Sequence, residues 1–195
     1  MIDLAVSRLR GKVKQKLPFI DLVGGVARQQ KIKVGESGLT KTLPATDDPD
    51  NPGKYLWLTP DSSKSGIVYF EVLRNQPAQQ MGGGRSYQYD CLLRCVVWLN
   101  TDRLSPIAPA PQIMALLVSN LGGRYDDIAP LSNIRVLPEA EAIRGPELFG
   151  KYTYDEAENQ FLMLPFDYFA FDFTLSYVLQ SDCPLESVLQ KGVQC

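Results

Sequence analysis

There is no histidine in this 195-residue chain. Histidine is the side chain whose ordinary pKa falls between about 5 and 8, so the commonest general base near neutral pH is missing. Ser-His and Cys-His nucleophile pairs are excluded with it, as are histidine-ligated zinc and haem. Cysteine is scarce, with four residues at Cys91, Cys95, Cys183 and Cys195. Cys91 and Cys95 fall on one face of a strand pattern, which sets them ~13 Å apart. Two sulfurs that each hold zinc at ~2.3 Å cannot be so distant. Buried free thiols are the expected state, and no disulfide framework is expected. No apolar run approaches the ~20 residues that a membrane helix needs. The opening MIDLAVSRLRGKVKQK lacks the charged, apolar, small-residue order of a signal peptide. Cytoplasmic synthesis and no membrane partner are therefore expected.

Phosphate and calcium signatures are missing too. Gly82-Gly83-Gly84-Arg85 is not followed by Lys-Ser/Thr and opens no helix. In Asp48-Pro49-Asp50-Asn51-Pro52 a proline takes the third ligand position of a calcium loop, and no glutamate closes it. Neither a metal nor a cofactor is expected. The carboxylate groups Asp126/Asp127, Glu139/Glu141 and Asp155/Glu156/Glu158 fall in predicted turns or edges, where solvated carboxylates are the norm. No catalytic residue is assigned, and the chain is expected not to be an enzyme.

What is present is a sheet protein with a real core. Hydrophobic residues make up 45% and charged residues 22%, which fits one globular domain. The strongest pattern is FDYFAFDFTLSYVL, Phe166 to Leu179. Phe169, Phe171, Phe173, Leu175, Tyr177 and Leu179 form an apolar row, against Ala170, Asp172, Thr174 and Ser176. A period of two predicts a strand with one apolar face and one wet face. Tyr87 to Asn100 is a second long strand, with Tyr87, Tyr89, Cys91, Leu93, Cys95, Val97 and Leu99 on one side. Equal lengths place the two in one sheet. Gly66–Leu73, apolar on both faces, reads as a central strand. Shorter strands are predicted at Tyr55–Thr59 and Asn133–Leu137, and an extended segment over Val26–Val34.

Helices are fewer. Ile2, Val6, Leu9, Val13 and Leu17 make a helical stripe that Pro18 ends. A second helix runs from near Pro111 to Leu121, packing Ile113, Leu116, Leu117, Val118 and Leu121 on the sheet, with Gly122 at its C-terminal cap. One helical turn is expected at Glu147–Gly150, and a short helix at Pro184–Lys191. Gly24-Gly25 reads as a turn, and residues 46–54, 75–86 and 101–111 read as loops. An acidic turn is expected at Asp155–Asn159. The fold class is α+β: a mostly antiparallel sheet of long strands packed by an N-terminal amphipathic helix and a central helix.

The net charge of −2 hides an asymmetry. Residues 1–35 carry eight Lys or Arg against two Asp, and residues 126–186 carry twelve Asp or Glu against three Lys or Arg. Three readings fit. Arg8, Arg10, Lys12, Lys14 and Lys16 can be a solvated helix face. They can contact nucleic acid, in an accessory protein that uses this basic helix. They can also face Asp155, Glu156 and Glu158 of a neighbouring subunit. The loop Gln79–Arg85, with Gln80, Met81 and Arg85, is a candidate interface or hairpin tip.

Three stretches, MIDLAVSRLRGKVKQKLPFIDLVGG, YQYDCLLRCVVWLN followed by PQIMALLVSNLGG, and FDYFAFDFTLSYVL, cover about a third of the chain. In order and pattern they resemble the phage tail-terminator family, ring-forming neck proteins of the virion. The resemblance implies a structural protein at the head-proximal end of a tail. Its subunits would join head-to-tail into a homo-oligomeric ring, a hexamer. Such a ring ends tube polymerisation, contacts the tail-tube protein and the head-side connector or neck proteins, and leaves a lumen for DNA. Residues 36–66 and 138–165 are longer than in a minimal member and read as insertions within a single domain spanning 1–195. Another neck or tail-tube role is the nearest alternative within the same class.

Overall fold

A computed structural model describes residues 1–34, 39–48, 51, 53–75, 79–81, 86–104, 110–139, 141–153 and 163–180. The fold is α+β, as the patterning predicts. Helix α1 spans Ile2–Lys16 and buries Ala5, Val6, Leu9 and Val13. The Leu17 N–H closes the last turn on Val13 O at 2.8 Å, and Pro18 cannot extend it. Strands β1 (Leu22–Val26), β5 (Gly66–Asn75), β7 (Ser86–Asn100), β10 (Phe166–Gln180), β9 (Leu131–Pro138) and β8 (Gly123–Arg124) lie side by side in that order. All pairs are antiparallel except β1 with β5. Strands β7 and β10 pair along all fifteen residues, from Phe166↔Asn100 to Gln180↔Ser86. A second sheet holds β2 (Arg28–Val34), β3 (Leu39–Asp47) and β4 (Tyr55–Trp57). Its strands β3 and β4 lie in the 36–66 segment read as an insertion, while β2 precedes that segment.

The alternation along β7 and β10 divides the core in two. The odd row of both strands faces α1 and α3 (Ala110–Leu121), so Cys91, Leu93, Cys95, Val97, Phe169, Phe171, Phe173 and Leu175 are buried with Leu9, Ile113 and Leu117. Phe70 meets Phe173 edge-on at 5.9 Å, the arrangement aromatic quadrupoles favour. On the opposite side, Ile67, Tyr69, Val96, Trp98 and Ala170 are covered by Leu58, Leu148, Phe149 and Tyr152. The last three come from the segment holding a 3-10 turn at Pro146–Phe149, where one helical turn is expected.

Several expectations are corrected. Gly24 and Gly25 stand inside β1, not in a turn. A Cβ at Gly24 would lie 2.7 Å from Leu58 Cδ2, and one at Gly25 3.0 Å from Thr46 Oγ1; glycine is there because the second sheet and its exit approach the strand so closely. The 75–86 segment is not all loop: Gln79–Met81 forms β6 against β7, prolonging the β5–β7 hairpin. In 101–111, Thr101–Leu104 is a one-turn helix, α2. Strand β3 takes Thr46 and Asp47 from the predicted 46–54 loop. Leu116 is 43% exposed rather than packed on the sheet, because α3 turns only Ile113, Leu117 and Leu121 fully inward. The expected acidic turn 155–159 and the helix at 184–191 lie outside the described residues.

Candidate assembly face and basic hollow

Among the described residues, the outer cover of the large sheet stops halfway along β7 and β10. Its boundary is a row of charges across three strands, since Glu71 and Asp172 both pair in register with Arg94. Arg94 donates from Nε and Nη2 to the two Asp172 carboxylate oxygens at 2.7 and 3.1 Å. This hydrogen bonding raises the guanidinium pKa further. Glu71 is only 3% exposed. It accepts from Tyr152 Oη at 2.6 Å and is paired with Lys151 Nζ at 2.7 Å. Both partners belong to the covering segment, so the row also latches the cover to the sheet. Buried charge is tolerated here because each carboxylate has a cation or hydroxyl partner.

Beyond that row no segment among the described residues covers the outer face. Gln88, Asp90, Leu92, Thr174, Ser176 and Val178 are half-buried, each beside solvent. Leu137 is 48% and Met81 45% exposed. A hollow of about 270 Å³ runs among Met81, Gln88, Arg124, Arg135, Leu137 and Val178. Gln88 Nε2 donates to Asp90 at 3.3 Å. Strand β1 pairs with β5 only as far as Phe70; from there to Met81 no strand among the described residues pairs with the outer edge of β5 and β6. Val72, Leu73 and Met81 are exposed along it. The face thus mixes aliphatic side chains with cations and amides, the composition of a wet protein contact.

A second hollow, of about 420 Å³, lies between α1 and the chain at 124–126. Here the N-terminal cations find neighbours in their own subunit. Arg8 Nη2 donates to Asp127 O at 3.0 Å. Arg10 Nε donates to Val23 O at 2.7 Å. Lys12 Nζ sits 4.6 Å above the Tyr125 ring. Lys14 and Lys16 are exposed. The helix therefore presents no continuous stripe of five free cations. Asp127, expected to be a solvated turn carboxylate, accepts from the Asn133 N–H at 2.8 Å and steadies that residue at φ 52°, a left-handed position that asparagine tolerates.

Of the other interface candidates, Gln80 and Met81 lie on β6 beside the open face, while Arg85, Asp155, Glu156 and Glu158 lie outside the described residues. Sequence reasoning missed Arg124, Arg135 and Leu137, which reach the face through β8 and β9, and the Glu71–Arg94–Asp172 row. The polar even positions Asp172, Thr174 and Ser176 were the available signal. Cys91 and Cys95 are buried thiols outside any disulfide, and burial raises the pKa of both. Among the described residues no three His, Cys, Asp or Glu side chains come together as a metal site would need.

No protein-family model matches the chain, and no curated protein matches it in sequence.

Proposed function

We propose that this chain is a ring-forming structural subunit of a phage tail, of the tail-terminator kind. It ends tube polymerisation and joins the tail to the head-side connector. The observation that carries this reading is the open half of the outer sheet face. Two fifteen-residue strands are built at full length, yet the described residues cover only part of their outer face. Leu92, Leu137, Val178 and Met81 remain at a surface beside the unpaired edge of β5 and β6. A long sheet edge with exposed apolar side chains is a liability in a free monomer and an asset in an assembly. Head-to-tail subunits in a closed ring would cover it, and an obligate contact of this kind buries above about 2,000 Å². The alternative, nucleic-acid binding by a basic stripe on α1, is weakened because Arg8 and Arg10 are hydrogen-bonded inside the subunit.

The test is assembly, by light scattering and negative-stain imaging, alone and with tail tubes. Rings are expected, and Met81→Asp with Leu137→Asp should abolish them while leaving the melting temperature nearly unchanged. A chain that stays monomeric even beside tubes would sink the reading.

A further inference from the structure

The hollow between α1 and residues 124–126 carries more positive charge than the fold uses. Its lining includes Arg8, Lys12 and Arg124 against one carboxylate, Asp126. Arg8 spends Nη2 on Asp127 O, but its Nε is buried with no hydrogen-bond partner. That donor is sealed from solvent, so what Arg8 presents to the hollow is its charge. Lys12 has the Tyr125 ring beneath it, and neither Lys12 nor Arg124 is in an ion pair among the described residues. Gly11 opens the helix wall of the same hollow, since a Cβ there would meet nothing within 4 Å. Glycine inside a helix is less favourable than alanine, and at this position it leaves the backbone open to the hollow.

We propose that this hollow binds a phosphate oxyanion. Three cations from two elements surround one space, as a tetrahedral anion with several acceptor oxygens requires and a single carboxylate does not. Arg8 and Lys12 line the space from α1 and Arg124 lines it from β8, each contributing positive charge. The volume falls within the ~300–1,000 Å³ of small-ligand sites. Asp126 at the same wall opposes the anion and sets a sign that can be tested. The site does not depend on ring formation, and a monomer would bind as well.

The probe is inorganic phosphate, titrated into the isotope-labelled full chain at constant ionic strength and followed by amide chemical shifts. Saturable shifts are expected at Ser7, Gly11, Lys12, Gln15 and Tyr125. Lys12→Gln with Arg124→Gln should weaken binding at least about tenfold, and Asp126→Asn should strengthen it, with melting temperatures confirming that both variants fold. Absence of saturable shifts, or equal affinity in the double variant, would overturn the proposal. A short single-stranded oligonucleotide distinguishes the source. If it displaces phosphate from the same amides, with an affinity that falls steeply with salt, the site takes a polynucleotide backbone. If phosphate stays bound, the site takes a free phosphate.

Discussion

The same two strands, β7 and β10, run through two different surroundings. In the half from Arg94 to Asn100 and Phe166 to Asp172, both faces of the sheet are covered. Trp98 is 1% exposed and stacks on Phe166 at 5.2 Å, under Leu58, Leu148 and Phe149. In the other half the odd row stays buried as far as Tyr177, but the even row of Gln88, Asp90, Thr174 and Ser176 reaches solvent. Stability therefore concentrates in the covered half and on the helix side, where apolar area leaves water on both faces. The open half-face contributes little to the stability of the monomer. The row Glu71–Arg94–Asp172 marks where the cover of the described residues ends.

Trp98→Ala is the sharpest way to test that contrast. It should cost about 3–5 kcal/mol, the usual loss for a fully buried large aromatic. Leu137→Ala, on the same side of the same sheet, should cost below about 1 kcal/mol because half of its surface already meets water. Urea unfolding with unchanged m-values would measure both. Equal losses would mean that the open half-face is covered in the free protein.

The boundary row comes next in size. Asp172→Ala removes both acceptors from the half-buried Arg94 guanidinium and should cost about 1–3 kcal/mol. Replacing both partners by apolar residues, Arg94→Met with Asp172→Leu, should recover much of that loss, because no uncompensated charge then remains. A double variant as unstable as Asp172→Ala alone would show that the row contributes through its link to Glu71 and the covering segment rather than through the pair itself.

Much of this division could be read before the fold was known. The even row changes from Val96, Trp98 and Ala170 to Gln88, Asp90, Thr174 and Ser176, so the sequence itself announces a dry half and a wet half. The stripe Val6, Leu9 and Val13 placed α1 for the same reason, since a period is a local property. What escaped was set by distant partners. Gly24 and Gly25 look like a turn until Leu58 and Thr46 are seen against them. Arg8 and Arg10 look like free surface charges until Asp127 O and Val23 O accept from them. Leu116 fits the helical stripe yet faces outward, because a helix packed on a twisted sheet buries a narrower face than its apolar residues suggest. Arg135 enters the open face, and Arg124 both candidate surfaces, through pairing between β8, β9 and β10, which no local pattern encodes.

The smallest expected effect lies at the end of the covered half. There the loop before β5 is clasped to β7 and α2: Asn100 Nδ2 and Arg103 Nε both donate to Ser62 O. Asp61 organises this loop, accepting from the Ser63 N–H at 2.8 Å and pairing with Lys64. The Lys64 hydrogen bond, then those of Ser63, lower the Asp61 pKa from the ordinary 3.8 to about 2. A carboxylate lowered on folding contributes stability that is complete above its unfolded value and is lost as pH falls through the folded one. The loss should therefore fall between about pH 4 and pH 2. Because the Asp61 side chain is 38% exposed, solvent screening reduces the contribution to a few tenths of a kcal/mol. Asp61→Asn should flatten the stability profile by that amount in that window alone, since every other carboxylate titrates alike in both proteins. If the two urea midpoints instead fall in parallel from pH 4 to pH 2, the clasp owes its hold to the Ser62 carbonyl and not to the Asp61 charge.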